Sequence, residues 1–251
     1  MIAPGIKRRA VRAIERQLDY QHAKAAKLAG NEARTMAFMA RRSAEIRARL
    51  EAVRPIAHDA HVLEVGSGAH GLIFHFGTEN GVGVDPLADH YRELFPAWQH
   101  LAKTIAAPGE ALPFPDASFD VVLCDNVVDH AENPRLILAE IVRVMKSGAL
   151  LFFELNIHHP LYHAAATLHA GWRALGISFE ITPFADHTYH FTRDAAAQLF
   201  DGLPLAIVSE ADTIEAEKSR IRAACIQRPS DVLKRAFFKN AAYEVIAVRK
   251  G

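Results

Sequence analysis

The chain has 251 residues, half of them apolar, with 29 Lys and Arg against 29 Asp and Glu. That is enough for one substantial core, and with no run of about 18 uninterrupted apolar residues no membrane span is expected. Cys124 and Cys225 are too few and too far apart for a disulfide framework or a zinc site.

The zero net charge is unevenly spread. Residues 1–54 carry 13 Lys and Arg against 5 Asp and Glu, leaving 16 against 24 for the remainder. The start, MIAPGIKRRAVRAIERQL, has basic residues but no apolar signal core, so a cytoplasmic protein is expected. Residues 5–53 read as helix, with no proline between Pro4 and Pro55 and a break at Gly30-Asn31. Met36, Met39, Ile46, Leu50 and Val53 recur at three- and four-residue spacing, which predicts one packed face. The expected organisation is a helical arm or cap over 1–54 and a main domain over 55–251. The arm's positive charge admits an anionic partner, nucleic acid included, or plain docking on an acidic body. Tyr20 and Phe38 are its only aromatics, few for stacking on bases.

His61–Val65 is a short apolar strand, followed by the glycine-rich turn Gly66-Ser-Gly-Ala-His-Gly71 and an expected helix to about Gly77. Val82–Asp85 is a second strand, and 87–103 is expected to be helical. FDVVLCD, Phe119–Asp125, is apolar enough for burial on both faces. Asn133-Pro134 is a strong helix start, with Asn as N-cap and Pro at the first turn. That helix is expected to stop at Gly148, before a buried strand at Leu150–Leu155. Residues 157–191, rich in His and aromatics, read as an insertion over the strand ends. A helix at 193–202 capped by Thr192, a strand at 205–211, helix within 213–237 and a strand at Ala242–Lys250 complete the chain. Alternation of this kind specifies an α/β fold, a doubly wound and mostly parallel sheet.

In such sheets ligands lie beyond the carboxyl ends of the strands. Gly66–Gly71 falls there, and Asp85 ends the next strand, where a carboxylate can accept both hydroxyls of a ribose. Gly66-x-Gly68-x-x-Gly71 with an acid 17 residues after Gly68 also satisfies a dinucleotide fingerprint. Glu64 argues against NAD. It is an acid inside the first strand, suited to a ligand's ammonium, and S-adenosylmethionine has one while NAD does not.

VLEVGSG (62–68), GVGVD (81–85), EALPFPDASFDVVLCDNVVDHAENP (110–134) and LAEIVRVMKSGALLFFELN (138–156) resemble the successive motifs of class I S-adenosylmethionine-dependent methyltransferases. Within that superfamily they are most similar to the ubiquinone/menaquinone-biosynthesis branch. The resemblance implies a Rossmann-like sheet of seven strands with an antiparallel last strand, and S-adenosylmethionine as cofactor. It implies that Glu64 and the backbone of Gly66, Ser67 and Gly68 hold the methionine part. Asp85 would hold the ribose, with Pro86 beside the adenine and Glu110 and Ala111 along its edge. Asn126 and Val127 would form the floor near the sulfonium. The sequence departs from the pattern in three places: His70 stands where the third glycine usually falls, Pro108 replaces an acid for the adenine amine, and Ser147-Gly148-Ala149 replaces Pro-Gly-Gly.

Methyl transfer needs alignment of nucleophile and methyl carbon, and an acceptor that loses a proton needs a base. His130, His158 and His159 are the candidates, each with the plainer alternative of lining a pocket. A metal site from His158, His159, His163 and Asp186, His187 or His190 is not required by any spacing, and no metal is expected. Leu161, Tyr162, Leu168, Trp172, Leu175, Phe179 and Phe184 suit an apolar acceptor or the insertion's own core. The expected acceptor is a small molecule, anionic or lipid- or sugar-linked. A non-catalytic binding module, a nicotinamide oxidoreductase and a nucleic-acid methyltransferase are the competing readings. Asp125-Asn126-Val127-Val128 is not the Asn-Pro-Pro-aromatic motif of base-amine methylation.

Overall fold

A computed structural model describes residues 18, 21–25, 32–161, 189–223, 238 and 241–251. The strands are β1 (His61–Val65), β2 (Asn80–Val84), β3 (Lys103–Ile105), β4 (Phe119–Asp125), β5 (Met145–Ile157), β6 (Leu205–Asp212) and β7 (Ala241–Arg249). They form a seven-stranded sheet in the order β3-β2-β1-β4-β5-β7-β6. β1 pairs in parallel with β2 and β4, and β4 with β5, while β7 runs antiparallel to both β5 and β6. The helices are α1 (Glu32–Glu51), α2 (Ala88–Leu94), α3 (Pro96–Gln99), α4 (Pro134–Val144), α5 (Arg193–Ala197) and α6 (Ile214–Ala223). This is the doubly wound α/β fold expected from the alternation, with the antiparallel last strand.

Two apolar layers clamp the central strands, as a sheet buried on both faces requires. On one face Leu63, Val65, Val122, Cys124, Leu151 and Phe153 pack under Ile137, Leu138 and Ile141 of α4. On the other Val62, Val121, Leu123, Leu150 and Phe152 pack under Ile46 and Leu50 of α1. Asn133 caps α4 by accepting the Leu136 N–H at 3.2 Å, and Thr192 caps α5 by accepting from Ala195. No helix among the described residues is long and apolar enough to cross a membrane.

Four local expectations are corrected. The segment after Gly71 is a 3-10 turn, Leu72–His75, instead of a helix to Gly77. Leu72, Ile73, Phe74 and Phe76 are all buried; four nearly consecutive apolar residues cannot share one α-helical face. Side chains of α1 close the turn: Ser43 Oγ donates to the Leu72 carbonyl, and Arg47 to the carbonyls of Phe76 and Gly77. The stretch 87–103 is broken at Phe95 by Pro96, whose ring disfavours helix in the preceding residue. Its end is the three-residue edge strand β3, too short to carry a pattern. Finally, α4 ends at Val144, and Gly148 sits in the left-handed region within the first residues of β5.

The basic arm meets acid on the sheet. Asp125 of β4 and Glu154 of β5 are register partners, as are Glu154 and Glu244 of β7. Arg42 of α1 donates to Asp125 at 3.0 Å and to Glu154 at 2.9 Å, and Arg49 reaches Glu244 at 2.6 Å. Burial, then Asp125, pushes the Glu154 carboxyl up to about 7 against the pull of Arg42. Burial also raises Asp125.

Leu50 is fully buried in the α1-side layer, so Leu50→Ala is expected to cost about 2–5 kcal/mol in urea unfolding. A loss below about 0.5 kcal/mol would show that α1 does not close this core. Arg42→Met has a pH signature. Without the guanidinium both folded-state carboxyl pKa values rise further above their unfolded values. The stability linked to protonation is then present at low pH and lost as pH rises. The variant is expected to cost on the order of 3 kcal/mol at pH 8 and clearly less at pH 5. Equal costs at both pH values would contradict the pairing.

Candidate functional site

The carboxyl ends of β1, β2, β4 and β5 bring most of the sequence-nominated residues to one edge of the sheet. The loop after β1 is pinned to β2: the amides of Gly66 and Ser67 both donate to the Val84 carbonyl, at 2.7 and 3.1 Å. Gly66 has φ +72, and a Cβ there would lie 2.2 Å from Cγ2 of Val127, so glycine is required by the loop that follows β4. Gly68 is different. Its φ is +53 and nothing lies within 4 Å of where a Cβ would be. The loop turns an open backbone surface outward there.

Asp85 closes the other side. Its carboxylate accepts the amide of Gly68 at 3.1 Å and that of Leu87 at 2.8 Å, which uses one lone pair on each oxygen. Burial raises its pKa, and the two amides and the nearby His130 oppose the rise. Pro86 beside it is exposed.

Glu64 does not face outward. It is 2% exposed, and its two oxygens accept the amides of Leu72 and Ile73 at 3.0 and 2.9 Å. A Cβ on Gly71 would lie 2.3 Å from Glu64 Oε2, so the chain crosses directly over the carboxylate. Burial pushes that carboxyl up to about 8, against the two backbone hydrogen bonds.

After β4, Asn126 adopts the left-handed conformation, φ +57, and its Oδ1 accepts from Asn156 Nδ2 at 2.6 Å. Val127 seats on Gly66. Glu110 accepts the amides of Glu132 and Asn133, at 2.9 and 3.3 Å, tying its loop to the start of α4. Ala111 is exposed, with its amide on the Pro108 carbonyl.

The three candidate bases do not form one group. His130 is exposed, its Nε2 3.9 Å from Asp129 Oδ2. His158 is 2% exposed, with its ring 5.2 Å from that of His190. His159 turns the other way, its ring 5.5 Å from that of Phe238 and its Nδ1 accepting the Leu161 amide. Burial, then Lys218, lowers its pKa. Most of the insertion, including Tyr162, His163, Trp172 and His187, lies outside the described residues, as does Cys225.

Sequence reasoning passed over Arg42, Asp125 and Glu154. Glu154 had a visible signal, an acid within the apolar run Leu150–Leu155, the same kind that marked Glu64. Arg42 had none, being one basic residue among many.

Residues 63–153 match the family described as Methyltransferase domain. Ajmaline N-methyltransferase of Rauvolfia serpentina is 28% identical over 109 residues, 40% of this chain and 38% of that protein. An uncharacterized methyltransferase of Mycobacterium sp. (strain JLS) is 37% identical over 100 residues, 38% of each. This chain thus spans less than half the length of the curated relatives it matches, 38%, 46% and 34% for three of them. Among solved structures, geranyl diphosphate C-methyltransferase from Streptomyces coelicolor A3(2), in complex with S-adenosyl-L-homocysteine, superimposes with a TM-score of 0.55 at 12% identity. That match covers 82% of this chain and 79% of the other. Over residues 63–153 this chain is thus similar to the family of methyltransferase domains, and it shares the fold of solved methyltransferases.

Proposed function

We propose that this protein transfers a methyl group from S-adenosylmethionine to a small-molecule or lipid- or sugar-linked acceptor. The observation that carries the reading is the open glycine beside the strand-end acid. Gly68 presents backbone with no neighbour within 4 Å of a Cβ position, while Asp85 holds that same glycine's amide. A surface without side chains beside a partly satisfied carboxylate suits a nucleoside whose ribose hydroxyls donate to Asp85.

Bound S-adenosylmethionine supplies an electrophilic methyl carbon on a sulfonium. The chain's part is to bind and align. In this reading the backbone of Gly66, Ser67 and Gly68 holds the methionine part and Asp85 the ribose. Pro86, Glu110 and Ala111 flank the adenine, and Asn126 and Val127 form the floor. Glu64 supports the loop from beneath, since both its oxygens serve backbone amides. His130, His158 and His159 remain the candidate proton acceptors; burial favours the neutral ring of His159, the state a general base needs. Residues 1–54 act as a helical cap on a methyltransferase domain, 55–251.

The acceptor's character follows from what stands exposed at the strand ends. Arg42 is anchored at Asp125 and Glu154, so Phe38, one turn earlier on α1, is carried toward the strand ends. Leu161 follows β5 by four residues, and Tyr189 is tied to the carbonyls of Asp129 and Glu132. All three are exposed. Exposed apolar groups on the elements that flank the strand ends favour an acceptor with an apolar part. The motif pair LPFPDASFD and RVMKSG supports placement near the ubiquinone/menaquinone-biosynthesis branch, whose acceptors would satisfy that requirement.

Thermal unfolding with S-adenosylmethionine, S-adenosylhomocysteine and NAD in parallel tests the cofactor. Ligand at about 100 times its Kd adds roughly 2.7 kcal/mol, or several degrees for a chain of this size. The expected result is a shift with both adenosyl compounds that Asp85→Ala abolishes. A shift with NAD alone, or with none of the three, would sink the proposal.

A further inference from the structure

Beside the glycine loop lies a second group of polar side chains that the site described so far does not use. Lys24, on the helical segment 21–25, places Nζ 3.3 Å from Nδ1 of His70, the residue that stands in the loop itself. The His70 ring is wedged against Phe95 and Trp98, edge to face, with centroids 4.6 and 4.1 Å away. Gln99 donates its amide to the carbonyls of Gly68 and Ala69, at 3.2 and 3.1 Å. Ala25 of this segment packs against the cluster, as does Leu18.

The hydrogen bonding of the cluster does not close. Gln21 Oε1, His70 Nε2, Trp98 Nε1 and Gln99 Oε1 are buried without a partner among the described residues. Gln21, Trp98 and Gln99 are at least nine-tenths buried. A charged Lys24 forces His70 Nδ1 to accept, which sends the ring proton to Nε2, where no acceptor stands. Burial makes charge costly on both: it lowers the pKa of Lys24 and brings His70 down to about 3, Lys24 adding to the second effect. Among the described residues the partly buried Lys24 ammonium meets an imidazole and no carboxylate. Two donors without acceptors and two acceptors without donors, beside a loop that carries an amino-acid ligand, are the complement of a zwitterion.

Glu64 sharpens the point. With Glu64 buried beneath the chain at Gly71 and turned to the Leu72 and Ile73 amides, the amino-acid end of the ligand needs other partners. Lys24 and His70 are both only partly buried.

We propose that Lys24, backed by His70, receives the carboxylate of the cofactor's methionine end, which makes the N-terminal segment part of the cofactor site. The inference rests on the cofactor reading above. It also gives the histidine at the usual glycine position a purpose: it holds the lysine's ammonium at the loop.

Equilibrium binding of two ligands to the full chain tests it. S-Adenosylhomocysteine carries the amino-acid carboxylate; 5′-methylthioadenosine keeps the nucleoside and thioether and lacks it. Lys24→Met is expected to weaken S-adenosylhomocysteine by about tenfold or more, the scale of one charge-assisted hydrogen bond, and to leave methylthioadenosine unchanged. Lys24→Arg, which keeps the charge, should retain most of the affinity. Undiminished S-adenosylhomocysteine binding by Lys24→Met, or equal losses for both ligands, would overturn the assignment while the cofactor reading stands. A wild-type chain that binds neither ligand overturns the cofactor reading and this inference with it.

Discussion

The site depends on one buried carboxylate. Glu64 sits inside β1 among apolar neighbours and gathers the amides of Leu72 and Ile73 eight and nine residues later. Those amides head a turn whose Leu72, Ile73 and Phe74 side chains are buried, so without an acceptor they would be buried and unpaired, at about 1–3 kcal/mol each. The same carboxylate needs its donors, since burial alone drives it toward protonation. Neither partner is comfortable without the other. Their pairing reverses the chain over Gly71 and presents the backbone of Gly68 at the strand ends. The absence of a Cβ at Gly71 is thus a steric consequence of Glu64.

The N-terminal helix is held by the same logic at a larger scale. Asp125, Glu154 and Glu244 line up across three strands on the face that α1 covers. Three adjacent carboxylates in a partly buried row repel one another. Arg42 and Arg49 make the row tolerable, and the row in turn fixes where α1 lies. Arg47 works farther down by closing the 3-10 turn. The charge asymmetry between residues 1–54 and the rest of the chain is therefore partly an internal matter of docking, with less of it left over for an external partner.

How much of this was legible followed from the range of the interactions. Strands β1, β4 and β5 are short apolar runs bounded by turn residues, and their caps and periods are local, so they could be read directly. Asn133 and Thr192 announce the helices they cap by spacing alone. The turn at Leu72–His75 looks helical in the sequence because its determinants are distant: Glu64 from beneath, Ser43 and Arg47 from α1. The three residues of β3 carry no pattern. At the site, Glu64 was conspicuous as an acid in an apolar strand, yet the sequence cannot show whether such an acid faces a ligand or the backbone. Asp85 at a strand end is equally conspicuous, and in space its carboxylate meets the amides of Gly68 and Leu87. Lys24 and Arg42 were hidden within a basic stretch, where one-dimensional spacing does not distinguish a cation with a partner from one in solvent.

The two motifs that made the family resemblance specific turn out to be one physical unit. Arg143, the first residue of RVMKSG, donates to the carbonyls of Leu112 and Phe114 at 3.1 and 2.8 Å and pairs with Asp116, all within LPFPDASFD. Glu140, one turn earlier on α4, accepts the Leu112 amide at 2.9 Å and orients the same guanidinium. The loop is rich in proline, which removes donors and leaves carbonyls to be satisfied. A planar guanidinium with five donors is suited to that task, and a lysine is not. The next residues toward the N-terminus, Glu110 and Ala111, are those nominated for the adenine edge, and Glu110 is itself tied to the start of α4. The spacing between the two segments is therefore the length of chain needed to run along β4, turn through Asn126 and return down α4 to the loop it began from. An arginine far from the strand ends sets the position of the loop nominated for the adenine edge, which explains in physical terms why those two stretches say more about the fold than the glycine loop alone.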